Sequence, residues 1–267
     1  MLLPNLGYFS GAYVPVKKPF LKKHHIKARL KFVRVCLRHP SRTKKIVFSD
    51  EKIYHSQPKQ TNLMIRRKRG PANRFDPKNI VYHQTGGPSV NVWYSIGPFG
   101  KGDLYCAENF ELFDFFGGKI GRSPYRGFDS ASYLKLLDHH ALPELDKRMP
   151  NGYYFVQDNA SIHAKKSSDK SETLVDRLLA GYPNVRRLNW PSKSPDLNVI
   201  ENYHVLIQQE LNGLLAKYRP KNKKGLLKLV RLAWLKVDNE KVIHVYNSFL
   251  GRCEKVYSRK GQNNYRE

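Results

Sequence analysis

Apolar residues recur at helical spacing near the start of the chain: Ile26, Leu30, Val33 and Leu37 share one stripe, set among Lys22, Lys23, Lys27, Arg29, Lys31 and Arg34. The pattern predicts an amphipathic helix with a cationic outer face. From Lys45 to Tyr54 the period drops to two, with Ile46, Phe48 and Asp50 on one face and Val47 and Ser49 on the other, as in a half-buried strand. Met64 to Arg67 and Val90 to Ile96 read as neighbouring strands, and Gly97-Pro98-Phe99-Gly100 turns into another through Asp103 to Cys106, which makes an antiparallel meander. A helix follows over Ser130 to Met149, with Tyr133, Leu134, Leu137, Ala141 and Leu145 as its stripe and Pro150-Asn151-Gly152 closing it. Tyr153 to Gln157 is apolar on both faces and reads as an interior strand. A helix over Glu172 to Ala180, a short strand over Val185 to Asn189 and a long helix to Tyr218 complete a mixed α/β unit. Two further helices are expected over Leu226 to Lys236 and Val242 to Tyr257.

Charge changes the meaning of the first helix. The chain carries 48 Lys and Arg against 22 Asp and Glu, a formal net charge of +26. Such a surface repels itself unless a polyanion neutralises it, and nucleic acid is the natural partner. A membrane is the competing partner, but no run of about 18 apolar residues is present to span a bilayer, and the first residues lack the apolar core of a signal peptide. Residues 1–49 hold twelve Lys or Arg and no Asp or Glu, so Asp50 is the first acidic residue of the chain. Without the Glu–Lys pairs of an ordinary solvated helix, phosphate contact by Lys22, Lys23, Lys27 and Arg29 is favoured over a solvated face. Arg66, Arg67, Lys68 and Arg69, and later Lys221, Lys223 and Lys224, form further clusters that would follow a nucleic-acid backbone without reading sequence. Cys36, Cys106 and Cys253 are far apart and lack CxxC spacing, so neither a disulfide framework nor a zinc ribbon is indicated and a reducing cytosolic or nuclear setting fits.

Three acidic residues stand out in a chain this basic. Asp50 ends the first strand's apolar face, Asp158 follows the interior strand, and Glu201 lies near the start of the long helix. Carboxylates brought in by two strands and a helix suggest a divalent-metal site, and therefore phosphoryl transfer. Glu201 has a second reading. If the helix starts at Asn198, Glu201 has the N3 position of a capping box; if Ser194 caps and Pro195 is the first helical residue, Glu201 lies about two turns in and is free to ligate. Glu51 points to the opposite strand face and is not read as a ligand. Asp196 and Asn198 read as shaping the helix entry, and Trp93 and Trp190 as core aromatics.

In this order, FSDEK, GGPSVNVWYSIGPFGKG, VQDNASIH and LNWPSKSPDLNVIEN resemble the catalytic domain of mariner-like DDE transposases of the Tc/mariner superfamily, and KKPFLKKHHIKARLKF resembles the segment leading into it. The resemblance runs from about Lys17 to at least Tyr218. It implies an RNase H-like α/β fold, a mixed sheet of antiparallel meander plus parallel strands flanked by helices. It also implies a metal-binding triad of Asp50, Asp158 and Glu201 holding Mg²⁺ or Mn²⁺ as two ions, with Asp50 bridging. The activity implied is strand cleavage by water at a transposon end, then strand transfer by the freed 3′-hydroxyl into target DNA. Dimers on paired ends and a nuclear location are implied with it. His163, five residues after Asp158, matches a histidine common in the family; it would steady the site or contact phosphate, or serve structure alone.

The expected organisation is a basic arm with an amphipathic helix over 1–43, the catalytic domain over 44–218 and basic C-terminal helices packed on it over 219–267. Forty-two residues separate Asp158 from Glu201, more than the family's usual spacing, and the excess is expected in a polar loop at 165–172, which absorbs it at small entropic cost. A second insertion over 111–128 carries Phe113, Phe115 and Phe116 just after Phe110, and is expected to pack on the domain or to meet a partner or DNA. Tyr94 and Ser161 replace the family's usual residues without removing a ligand. The chain starts at the linker, so the paired helix-turn-helix modules that read element ends are expected to be missing. Three function classes follow: a metal-dependent transposase or nuclease domain, a degraded or domesticated relative that binds DNA without catalysis, and an RNase H-like nuclease acting on RNA, which the WPSKSPDLN tract disfavours.

Overall fold

A computed structural model describes residues 18–57, 87–108, 111–113, 119–122, 128–158, 160–163 and 172–263. Helix α1 (Lys23–Arg38) forms on the expected stripe and buries Val33 and Cys36. A single turn, α2 (Pro40–Thr43), leads into the sheet. Strands β1 (Ile46–His55), β2 (Ser89–Gly97) and β3 (Gly100–Glu108) form the antiparallel meander. Gly100 turns the chain at φ 89°, and a side chain there would collide with Asn239. Two short strands not foreseen in the sequence, β4 (Glu111–Phe113) and β5 (Lys119–Arg122), extend the meander. They lie inside the aromatic insertion and pair with the open edge that β3 would otherwise present. Met64 to Arg67, Phe110, Phe115 and Phe116 lie outside the described residues, as does most of the polar loop at 165–172.

Strands β6 (Tyr153–Val156) and β7 (Val185–Arg187) join parallel to β1, giving the sheet order β5-β4-β3-β2-β1-β6-β7. The helix expected over Ser130 to Met149 is interrupted: α3 (Ser130–Leu136) runs through a π turn (Leu137–Ala141) into α4 (Leu142–Arg148). Pro143 has no N–H for the regular ladder, which accounts for the irregular turn just before it. Asp129 caps α3, its Oδ1 accepting from the Ser132 amide at 2.7 Å. Helix α5 (Leu174–Ala180) is capped by Thr173, and α6 (Ile200–Lys217) and α7 (Lys223–Lys236) follow. The single helix expected over Val242 to Tyr257 is two, α8 (Asn239–Asn247) and α9 (Phe249–Ser258), broken at Ser248, whose hydroxyl donates to the Val245 carbonyl at 2.6 Å.

The period-2 alternation of β1 divides the core into two layers. Ile46 and Phe48 pack with Tyr94, Ile200, Tyr203, Val230 and Cys253 on one face. Val47 packs with Trp93, Tyr133, Leu145, Phe155 and Val175 on the other. Residues of α7, α8 and α9 thus share one core with α6 and the sheet. Lys101 on β3 donates to the carbonyls of Trp234, Leu235 and Val237 at 3.0, 3.1 and 2.8 Å, satisfying acceptors that the end of α7 leaves open.

Candidate active site

Strands β1 and β6 pair only through Ile46↔Tyr154, Val47↔Phe155 and Phe48↔Val156. Past that point β6 ends while β1 continues against β2, so a gap opens at the carboxyl ends of two parallel strands, where open α/β sheets bind their ligands. The Ser49 hydroxyl donates to the Val156 carbonyl at 2.9 Å and closes the paired region. Asp50 is the next residue of β1, and Asp158 lies two residues beyond the end of β6. Asp50 stands opposite Tyr94 of β2, and its Oδ1 accepts from the Glu51 amide at 2.8 Å.

Asp158 is fixed locally by the Ala160 amide, which donates to its Oδ1 at 2.8 Å. His163, 2% exposed, stands with Nδ1 3.0 Å from the same oxygen and Nε2 3.2 Å from Glu51 Oε1. The Tyr133 ring packs on the imidazole with centroids 4.4 Å apart. Glu51 does face away from Asp50, as the strand period requires, but His163 ties it to Asp158 from the far side of the sheet.

Glu201 reaches the site by neither of the helix starts read from the sequence. Helix α6 begins at Ile200 with no side-chain cap. Before it the chain makes tight turns, with the Leu197 amide donating to the Ser194 carbonyl at 3.2 Å and the Asn198 amide to the Pro195 carbonyl at 3.0 Å. Asn198 is buried, and its Oδ1 has no hydrogen-bond partner among the described residues. Glu201 caps nothing; its Oε2 stands 3.1 Å from Nδ1 of His204, one turn along.

Two buried arginines hold this turn segment in place. Arg29 of α1 makes paired bonds to the Asp196 carboxylate at 2.7 and 2.6 Å and donates to the Gly261 carbonyl at 2.9 Å. Arg252 of α9 donates to the Asp196 carbonyl at 2.9 Å and to Asn202 Oδ1 at 2.8 Å. Lys193, just upstream, is left-handed at φ 58°, an uncommon conformation for a residue with a side chain. Arg29 was expected on the phosphate-binding face, and the structure corrects this. It is fully buried, because it lies three residues after Ile26 and four before Val33, within the apolar stripe itself. Lys22, Lys23 and Lys27 are exposed, and Arg66, Arg67, Lys68 and Arg69 lie outside the described residues.

Asp50, Asp158 and Glu201 line one cleft of about 400 Å³, walled by Trp190, Lys193 and Asn198 among others. Their ligand atoms form two groups, each within 4.8 Å: Asp50 with Glu201 and His204, and Asp158 with Glu51 and His163. Burial, then the negative charges of Glu51, Glu201 and Asp158, push the Asp50 carboxyl up to about 8. The His163 hydrogen bond holds Asp158 below the usual carboxylate range against the effect of burial. The His204 hydrogen bond does the same for Glu201. Burial would lower His163, but its bonds to Asp158 and Glu51 outweigh that and raise it to about 10. Burial lowers His204, leaving a neutral ring beside an ionised Glu201. His204 was not singled out in the sequence, although its spacing of three from Glu201 on a helix was a readable signal.

No family model matches the chain. It is 26% identical over 251 residues to the Tc1 transposase of Caenorhabditis elegans, covering 92% of this chain and 80% of that one. It is 28% identical over 256 residues to the Tcb2 transposase of Caenorhabditis briggsae, with the same coverage. Among solved structures, the Mos1 mariner paired end complex with Mn superposes with a TM-score of 0.69 at 18% identity, over 96% of this chain and 68% of that one. The catalytic domain of Mos1 mariner transposase superposes at 0.58 and 18% identity, over 96% of this chain and all of that domain. The sequence is homologous to Tc1/mariner transposases along nearly its whole length, and the fold is the RNase H-like fold of a mariner catalytic domain.

Proposed function

We propose that this chain performs metal-dependent phosphoryl transfer on DNA, cutting a strand at a transposon end and joining the freed 3′ end to target DNA. One observation carries the reading: carboxylates from β1, the end of β6 and α6 line a single cleft. The charge of +26 and the homology to Tc1/mariner transposases support a DNA substrate.

The donors fit a divalent cation. Three carboxylates offer hard oxygen ligands, and Asp50 is crowded by like charges with no cationic partner among the described residues. Asp50, Asp158 and Glu201, which line one cleft, would hold Mg²⁺ or Mn²⁺ there, as two ions in this reading. When bound, such ions lower the pKa of an attacking oxygen and stabilise charge on the leaving oxygen. The remaining work falls to the chain's own residues. His163 holds Asp158 at 3.0 Å, and Arg29 and Arg252 fix the turn that delivers Glu201, so the carboxylates are oriented before DNA arrives. Water attacks phosphorus in cleavage and the 3′-hydroxyl attacks it in joining. Both are in-line displacements that one set of carboxylates can serve. Lys22, Lys23 and Lys27 would hold the backbone phosphates. A dimer on paired ends, working in the nucleus, is the assembly that fits this activity.

The test is incubation with Mn²⁺ and end-labelled DNA beside an Asp158→Ala control. Nicking that needs both the metal and Asp158 is expected. Equal activity in the control, or none in either protein, would overturn the reading.

A further inference from the structure

We infer that His204 supplies a nitrogen ligand to the cation held by Asp50 and Glu201, making this half of the site a mixed nitrogen and oxygen seat. The inference rests on the metal-dependent reading above and concerns which atoms meet the metal.

Three observations carry it. A ring nitrogen of His204 and carboxylate oxygens of Asp50 and Glu201 all lie within 4.8 Å of one another. His204 Nδ1 and Glu201 Oε2 are 3.1 Å apart, and adjacent donors on an octahedral ion with bonds of about 2.1 Å stand about 3.0 Å apart. The pair is therefore already spaced to share an ion. The third observation concerns the other nitrogen. The His204 side chain is 4% exposed, and its Nε2 is buried with no hydrogen-bond partner among the described residues. The Tyr94 ring packs edge-on against the imidazole, with centroids 5.4 Å apart and planes at 79°. Among the described residues Nε2 meets no oxygen or nitrogen partner in either tautomer, so what Nδ1 faces decides between them. With no cation, Nδ1–H donates to Glu201. With a cation between them, the neutral ring carries its hydrogen on Nε2 and gives the Nδ1 lone pair to the metal, with no net proton released.

A nitrogen donor changes metal choice. Carboxylates suit Mg²⁺ and Mn²⁺ alike, whereas imidazole favours transition-series ions. The chain should hold Mn²⁺ in preference to Mg²⁺ to a degree that an all-carboxylate site would not.

The test uses the whole chain with Mn²⁺ alone, read by pulsed electron paramagnetic resonance for ¹⁴N coupling and by titration calorimetry. We expect a histidine ¹⁴N modulation that His204→Gln abolishes and His163→Gln retains. His204→Gln should also weaken Mn²⁺ binding about tenfold while changing Mg²⁺ binding far less. Circular dichroism melting shows whether each variant is folded, and His204→Asn serves as the second variant if the first is not. Bound Mn²⁺ without ¹⁴N coupling, or coupling lost only in His163→Gln, overturns the role of His204 and leaves the carboxylate site standing. Mn²⁺ binding that Asp50→Asn does not weaken overturns the metal site itself, and this inference with it.

Discussion

Arg29 on the first helix and Asp196 in the turn before α6 are joined by two hydrogen bonds of 2.7 and 2.6 Å, and both side chains are sealed from solvent. The residues are 167 positions apart in sequence, so the bond locks the basic arm onto the segment that presents Glu201. A buried charge pair adds little net stability when intact, but removing one partner strands the other in a medium that cannot solvate it. The pair thus specifies position more than it contributes stability.

The Arg29→Met substitution should therefore lower stability by about 3–5 kcal/mol, measured by denaturant unfolding. Asp196→Leu in the same chain should restore much of that loss, because neither member of the pair then leaves the other as an unpaired buried charge. A single variant as stable as the parent would mean that the pair opens to water, contrary to its burial.

Much of the site was legible because local rules place it. Period-2 alternation put Asp50 at the end of the apolar face of β1, and the apolar run of β6 put Asp158 at its end. Glu201 was harder. Ser194-Pro195 and Asn198 each signal a helix start, and neither is used, because Arg29 and Arg252 decide the path of the turn from distant parts of the chain. Arg29 was misplaced for the same reason: an arginine beside lysines reads as part of a charged face until its partner, far along the sequence, is known. The β4–β5 hairpin was not readable from alternation either, since it forms against an edge that only the folded sheet supplies.

The lysines left on the outer face of α1 make a separate prediction. Lys22, Lys23 and Lys27 are exposed and Arg29 is not. If each lysine neutralises one phosphate, changing all three to alanine should flatten the slope of log K against log salt by up to about 2.7 for duplex DNA. Fluorescence anisotropy titrations across a salt series measure it. An unchanged slope would show these lysines to be solvated only.

Asp50 predicts a pH dependence in metal-free protein. The folded chain keeps its proton up to about pH 8, against an ordinary value of 3.8, so between those values the native state binds more protons than the unfolded one. Stability contributed by this group is present at low pH and lost as pH rises through about 8. Asparagine imitates the protonated form. Asp50→Asn should melt close to the parent near pH 4 and above it by a margin that widens up to about pH 8, at least several degrees near pH 8.5, by calorimetry in a chelator. Added Mn²⁺ should raise the parent's Tm at the higher pH and leave the variant's nearly unchanged. Equal melting of the two metal-free proteins at both pH values would refute the charge crowding.

The bridge from Asp158 through His163 to Glu51 yields the last prediction. The His163 ring is 2% exposed and Glu51 15%, and the raised affinity of the imidazole for its proton keeps it cationic at neutral pH. His163→Gln would leave Glu51 as a nearly buried carboxylate close to Asp50, at a cost of about 2–3 kcal/mol. Glu51→Gln alone should cost less and should also relieve Asp50, for which Glu51 is the largest like-charge neighbour. The double variant should therefore be clearly more stable than the sum of the two losses predicts, a coupling of 1 kcal/mol or more by roughly the scale that contacting charged pairs show. Because the His163 pKa is raised from the ordinary 6.5 to about 10, the coupling should be full below about pH 6.5, decline as pH rises between those values and be lost above about pH 10. A double-mutant cycle in urea at neutral pH and again near pH 10.5 measures both. Additive losses at neutral pH would mean that His163 supports Asp158 alone, with Glu51 a bystander on the far face of β1.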